Sequence, residues 1–140
     1  MIKRFMKKFG KRKGFSLVEL LIVIAIIGII ATIAIPILLG ARRNAIREKA
    51  RNSLRSLISA EQAYYAANGT YADLAELRSP TDTAQAPYID QQTADGFVDD
   101  PELTIAVDAF DVSTFEVSCT TTDANIPDFE ATETGEITEV

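Results

Sequence analysis

The pattern of apolar and polar positions changes character three times along the chain. From Leu20 to Leu39 twenty consecutive positions carry no charge, and the run is apolar on every side of a helix. At about 1.5 Å rise per residue it covers ~30 Å, the thickness of a hydrocarbon core. From Arg42 to Ala67 the apolar residues become periodic. Ile46, Ala50, Leu54, Leu57, Ile58, Tyr64 and Tyr65 recur at spacings of three, four and seven, with Arg43, Arg47, Lys49, Arg51, Arg55 and Gln62 between them. That spacing predicts an amphipathic helix with one apolar stripe. Asn68-Gly69 supplies its stop, because glycine suits the left-handed position just past a helix end. A single helix is therefore expected from Phe15 to Ala67, and its second half needs a partner surface.

The rest of the chain reads as that partner. Asp73–Ser79 is expected to form a short helix ended by Pro80. Residues 80–102, rich in Pro, Asp, Gln and Thr, read as a loop. Ile105, Val107 and Ala109 alternate with polar or small residues, and Phe115, Val117 and Cys119 alternate with Glu116, Ser118 and Thr120. These are strand signals. Phe129-Glu130-Ala131 and Ile137, around Gly135, predict one or two more short strands. Three or four antiparallel strands packed on an amphipathic helix make one α+β head, and a chain of 140 residues has room for one such domain.

Charge divides the chain unevenly. Residues 1–14 hold seven Lys or Arg and no acid, while the remainder holds seven basic and twenty acidic residues, a balance of −13. Beyond Arg55 the one basic residue is Arg78, against eighteen acids. A region so acidic repels phosphates, which argues against direct nucleic-acid binding by the head. The basic leader favours a cytoplasmic N-terminus. With no histidine, imidazole base chemistry and His-ligated metals are excluded. The single cysteine, Cys119, cannot form an intramolecular disulfide and is expected to be a small buried residue on a strand.

An ordinary secretory signal ends its apolar stretch with small residues suited to cleavage. Here the distinctive sequence stands before the apolar run: Lys13-Gly14-Phe15-Ser16-Leu17-Val18-Glu19-Leu20-Leu21-Ile22. It resembles the class III (prepilin) signal of type IV pilins and type II secretion pseudopilins. The resemblance covers about thirty residues, Lys13 to Arg42. It implies a pilin-like fold in three parts. These are a leader at 1–14 that is removed, a membrane and polymerisation helix at 15–39, and a globular head at 40–140 that includes the amphipathic half of the helix. It also implies cutting between Gly14 and Phe15 by a membrane prepilin peptidase, N-methylation of the new terminal Phe15, and a filament of like subunits. An assembly ATPase and an inner-membrane platform would act indirectly. The precursor would sit in the bacterial inner membrane, and its product in a surface pilus or a periplasmic pseudopilus.

Glu19 stands at the edge of the apolar run. An unpaired carboxylate in hydrocarbon costs several kcal/mol, so such a residue is a functional candidate by default. After a cut, the α-amino group of Phe15 lies four positions away on the same helix. In the family the matching Glu is thought to pair with the terminal amine of an adjacent subunit. Pro36 removes one helical hydrogen bond, and similar pilins loosen between a matching Gly and Pro in the filament, which marks Gly28–Pro36 as a kink or melting segment. Asn68-Gly69-Thr70-Tyr71, with Leu74 and Leu77, again looks like the pilin helix exit. Ala72 departs from the proline usual in major pseudopilins.

Other features admit a functional and a plain reading. The cations of 42–55 could face acidic heads of neighbouring subunits or anionic lipid headgroups. Asp95, Asp99, Asp100, Glu102 and Asp108 could hold calcium or form a solvated acidic loop. Tyr64, Tyr65 and Tyr71 are expected to pack on the core. Asn68-Gly69-Thr70 matches a glycosylation sequon at a helix stop, where the turn reading is preferred. No catalytic or cofactor motif is present, so a structural subunit is expected, with no cofactor or metal. A minor pseudopilin of a secretion or DNA-uptake system is the alternative within the family, and a single-span membrane-anchored binding module the alternative outside it.

Overall fold

The computed structural model describes residues 14–98 and 100–140; most of the basic leader lies outside them. The chain divides into two compact units, one ending at Leu39 and the other comprising Gly40–Val140. Helix α1, Leu17–Asn68, contributes its first part to one and its remainder to the other. It starts two residues later and ends one later than the periodicity predicts.

In the second unit the apolar stripe of α1 is buried as expected. Ile46, Ala50, Leu54, Leu57, Ile58 and Ala60 all lie in the core. The helix stops where the sequence says it should. Gly69 has φ +73°, and its N–H donates to the carbonyl of Tyr65 at 2.8 Å. A residue with a side chain is strained in that conformation.

A short helix α2, Leu74–Arg78, follows, with Asp73 as its N-cap accepting from the Glu76 N–H at 2.7 Å. The segment expected to be loop throughout holds a further helix, α3, Gln91–Val98. Its start is held by Asp90, whose carboxylate accepts from the Thr93 N–H at 2.9 Å and from the Thr93 hydroxyl at 2.6 Å. Ala94 and Phe97 are buried, three positions apart on one face. Composition favoured a loop, but a side-chain cap and two buried residues suffice for two turns of helix.

Four strands form one antiparallel sheet in chain order: β1 Leu103–Phe110, β2 Phe115–Thr121, β3 Phe129–Thr132 and β4 Ile137–Glu139. Register aligns Ile105 with Cys119 and Phe129, and Val107 with Val117, Ala131 and Ile137. Those rows form the inner face, so Leu103, Ile105, Phe115, Val117, Cys119, Phe129 and Ala131 are buried with the helix stripe. The expected alternation fails at one place. The β1–β2 register shifts between Val107 and Ala109, and Ala109 is exposed. An extra residue in one strand turns the following side chains to the other face. Asp111 closes the hairpin, accepting from the N–H groups of Ser113 at 2.6 Å and Thr114 at 2.8 Å. The architecture is the α+β, pilin-like one expected.

Two of the three tyrosines pack on this core. The Tyr71 ring lies 4.7 Å from Phe115 and Tyr64 meets Tyr88 edge-on at 5.2 Å. Tyr65 differs from expectation: it stacks on Tyr71 at 4.7 Å but stays 40% exposed, because it lies beyond the stripe's edge. Leu54 is fully buried while Ser56, two positions on, is exposed. Leu54→Ala is expected to destabilise the head by about 2–5 kcal/mol, and Ser56→Ala by less than about 0.5 kcal/mol. Urea unfolding of the full chain in detergent measures both.

Candidate assembly and processing segment

The first unit has a different surface. Every described residue from Gly14 to Leu39 is exposed, Ala31 partly so. Phe15 is 80% exposed, and seventeen large apolar side chains from Phe15 to Leu39 stand open. The helix is long and apolar enough to cross a membrane, and none of that stretch is buried within the chain. An open apolar surface of this extent marks a lipid or protein contact.

Gly14, Phe15 and Ser16 precede the helix in non-helical backbone. Glu19 Oε2 accepts the Ser16 N–H at 2.8 Å, and Ser16 Oγ accepts the Val18 N–H at 3.3 Å. Ser16-Leu17-Val18-Glu19 is thus a capping box, in which each side chain satisfies an N–H left open at the helix start. The S-x-x-E spacing carries this contact in the sequence itself, beside the expected pairing of Glu19 with a terminal amine. In the uncut chain the local partner of Glu19 is the backbone of Ser16. Being in the first turn, its charge also opposes the positive end of the helix dipole.

Gly28 and Pro36 lie within α1, which is helical throughout Gly28–Pro36. Thr32 donates its hydroxyl to the Gly28 carbonyl at 2.8 Å, and Pro36 gives no N–H to the carbonyl of Thr32. An added methyl at Gly28 would meet no atom within 4 Å.

The cations of 42–55 find partners inside the chain. Arg42 pairs with Glu102 at 2.7 Å, Arg43 with Asp123 at 3.3 Å and Lys49 with Asp100. Arg51 pairs with Glu139 at 2.6 Å and Glu48 at 3.0 Å, and its guanidinium lies 5.5 Å from the centre of the Phe129 ring. Arg47 donates to the Asn125 carbonyl at 3.4 Å. Four of these cations thus form ion pairs within their own head, which neither of the two readings above included. Of the acids considered for calcium, Asp95 meets Arg78 at 2.9 Å, while Asp100 and Glu102 are the partners just named. Asp99 lies outside the described residues. Among the described residues no three acids, cysteines or histidines converge as a metal site. The Asn68 amide is engaged by Tyr64 and Gln85, in keeping with a helix stop.

Burial pushes the Asp100 carboxyl up. Hydrogen bonds from Lys49 and from the N–H groups of Glu102 and Leu103 outweigh that and hold it below the usual carboxylate range. Cys119 is buried as expected, and burial raises its thiol to about 11, so it is an inert core residue at neutral pH.

One buried charge-bearing residue escaped the sequence reading. Glu61 falls on the register of Leu54, Leu57 and Tyr64, a stripe position, and is 0% exposed. The signal was there, since the i, i+4, i+7 series from Leu54 passes through it.

Comparison with known proteins bears on this segment. Residues 10–35 match the family described as the prokaryotic N-terminal methylation motif. The chain is 37% identical over 65 residues to the type IV major pilin protein of Myxococcus xanthus (strain DK1622), covering 46% of this chain and 30% of that protein. It is 38% identical over 66 residues to the type II secretion system core protein G of Vibrio cholerae, covering 47% and 45%. It is 44% identical over 59 residues to the type IV wide pilus major component of Thermus thermophilus, covering 42% and 45%. The chain thus spans less than half the length of each of these relatives.

Asp100→Asn is expected to lower head stability by about 1–2 kcal/mol at neutral pH, the Lys49 end being half-exposed. A carboxyl held low in the folded state contributes above its unfolded value and loses that contribution as pH falls through the folded one. The difference between variant and parent should therefore shrink in acid, which urea titrations at neutral and strongly acidic pH would show.

Proposed function

We propose, on the premise that the methylation motif and the pilin and pseudopilin relatives support this family for the chain, that it is a structural subunit of a type IV pilus or pilus-like filament. The apolar N-terminal helix fits a membrane-anchored precursor that later enters a pilus or pseudopilus. Prepilin peptidase cuts between Gly14 and Phe15, Phe15 is N-methylated, and the exposed helix of each subunit packs against those of its neighbours.

The observation that carries this reading is Glu19 at the start of an apolar helix that the described residues leave open. Within the precursor, the Ser16–Glu19 capping box satisfies the carboxylate. Cutting at Phe15 creates an ammonium four positions before Glu19. Removing that apolar helix from lipid into a bundle of like helices leaves a carboxylate and an ammonium that must pair. Pairing across subunits fixes an axial offset, and a head-to-tail contact that does not close gives a helical fibre. Small residues at Ala25, Gly28, Ala31 and Ala34 permit close helix approach. Gly28–Pro36 is the segment that loosens as the helix leaves the bilayer, since Pro36 has already removed one of its hydrogen bonds.

The role is structural rather than catalytic. The inner membrane holds the precursor, and an ATPase and membrane platform drive extrusion. A minor pseudopilin role has the same chemistry and differs in copy number, trace amounts in sheared filaments being its mark.

Glu19→Ala is expected to cut sheared filament yield on the order of tenfold or more while the head stays folded. Mass spectrometry of parent filaments should find an N-terminal Phe15 bearing one added methyl group. A bulky residue at Gly14 should leave uncut precursor in the membrane. Full filament yield from Glu19→Ala would overturn the reading and favour a membrane-anchored module that does not polymerise.

A further inference from the structure

Glu61 is the buried ionisable group for which filament assembly has no use. It lies near the end of α1, fully buried, one turn after the buried Ile58 and one turn before Tyr64. Its Oε2 accepts the N–H of Ala72 at 3.1 Å, and Ala72 is itself buried. Its Oε1 is buried without any hydrogen-bond partner. Buried carboxylates ordinarily have a cation or several donors, and this one has a single backbone N–H.

Among the described residues no cation pairs with it or shifts it. The ionisable groups that feel Glu61 are Tyr64 on α1 and Tyr71 and Asp73 on the link to α2, none of them cationic. Glu76 of α2 engages the Tyr64 hydroxyl at 3.4 Å, and no titratable group of α3 or the sheet shifts Glu61. Among the described residues none of the ion pairs includes it.

We propose that Glu61 is a proton-operated latch: the last turns of α1 and the Tyr71–Ala72 link close over its carboxyl while it is neutral, and its ionisation, which one backbone N–H cannot offset in that enclosure, loosens that end of the head. The link is where the head's elements converge. Tyr71 donates its N–H to the Asp111 carbonyl in the β1–β2 turn at 3.2 Å, and its ring bridges Tyr65 and Phe115. Ala72 is chemically necessary to the contact, because a proline there would have no N–H to give. Burial pushes the Glu61 carboxyl up, the Ala72 N–H opposes this, the Asp73 charge adds to it, and the result is about 7.

The sign follows from linkage. A carboxyl whose folded value exceeds its unfolded value binds more protons in the folded state, so it withdraws stability as pH rises from the unfolded value through the folded one. With no histidine in the chain, no other side chain of ordinary pKa titrates across that window.

The test is urea unfolding of the purified full chain in neutral detergent, parent against Glu61→Gln, from about pH 5 to about pH 8. The parent's unfolding constant is expected to rise on the order of 10²-fold across that range, and the variant's to stay nearly level. Should Glu61→Gln fail to fold, the parent alone decides through its backbone-assigned Glu61 side-chain carboxyl ¹³C resonance, expected to titrate near neutrality. Equal pH slopes in parent and variant, or a Glu61 resonance titrating in the ordinary carboxylate range, overturn the latch. Neither readout requires polymerisation, so this proposal and the filament reading fail separately.

Discussion

One helix carries two kinds of apolar surface, and the chain supplies a cover for only one of them. After Arg42 the surface narrows to a stripe, and the sheet's inner face buries it in rows set by strand register. Before Leu39 the helix is apolar all round, and the described residues leave it open, Ala31 partly excepted. Covering that surface is worth on the order of 25 cal/mol for each Å² removed from water, so lipid and then other helices become the natural partners. The proposed membrane residence and polymerisation both rest on leaving that surface open.

Two carboxylates lie on these apolar surfaces and illustrate how context divides their roles. Glu19 stands in the first turn, exposed, with a backbone donor and the helix dipole in its favour. Its partner is a single exposed backbone N–H, which another donor can replace. Glu61 is enclosed, with a single donor and anionic or neutral neighbours. Its charged form is the costly one, so its proton is held into the neutral range. The first carboxylate can serve a contact between chains, and the second acts within the head.

Much of this was legible in the order of residues. The end of α1, the α2 helix with Asp73 before it, the strand cores around Ile105, Phe115 and Phe129, and the burial of Cys119 all follow from local spacing and composition. The motif around Gly14–Glu19 was legible too, since six consecutive residues before an uncharged run carry it and the matched family spans 10–35. The S-x-x-E spacing of the capping box that Ser16 forms with Glu19 is local as well. Helix α3 was missed for another reason. Its helical state depends on Ala94 and Phe97 finding the core, which composition around Pro, Asp and Gln does not announce.

By itself, then, the sequence determined the succession of helix, short helix and strands, the uncharged span, and the processing signature, because each rests on neighbours within a few turns or a single strand. Tertiary structure alone decided which acids answer the cations of α1, where β1 slips by one residue, and that the one donor to Glu61 is the Ala72 N–H. Arg42 meets Glu102 and Arg51 meets Glu139 across 60 and 88 positions. Such pairings, and the desolvation that shifts a proton, depend on what the folded chain brings alongside a residue, which no local spacing encodes.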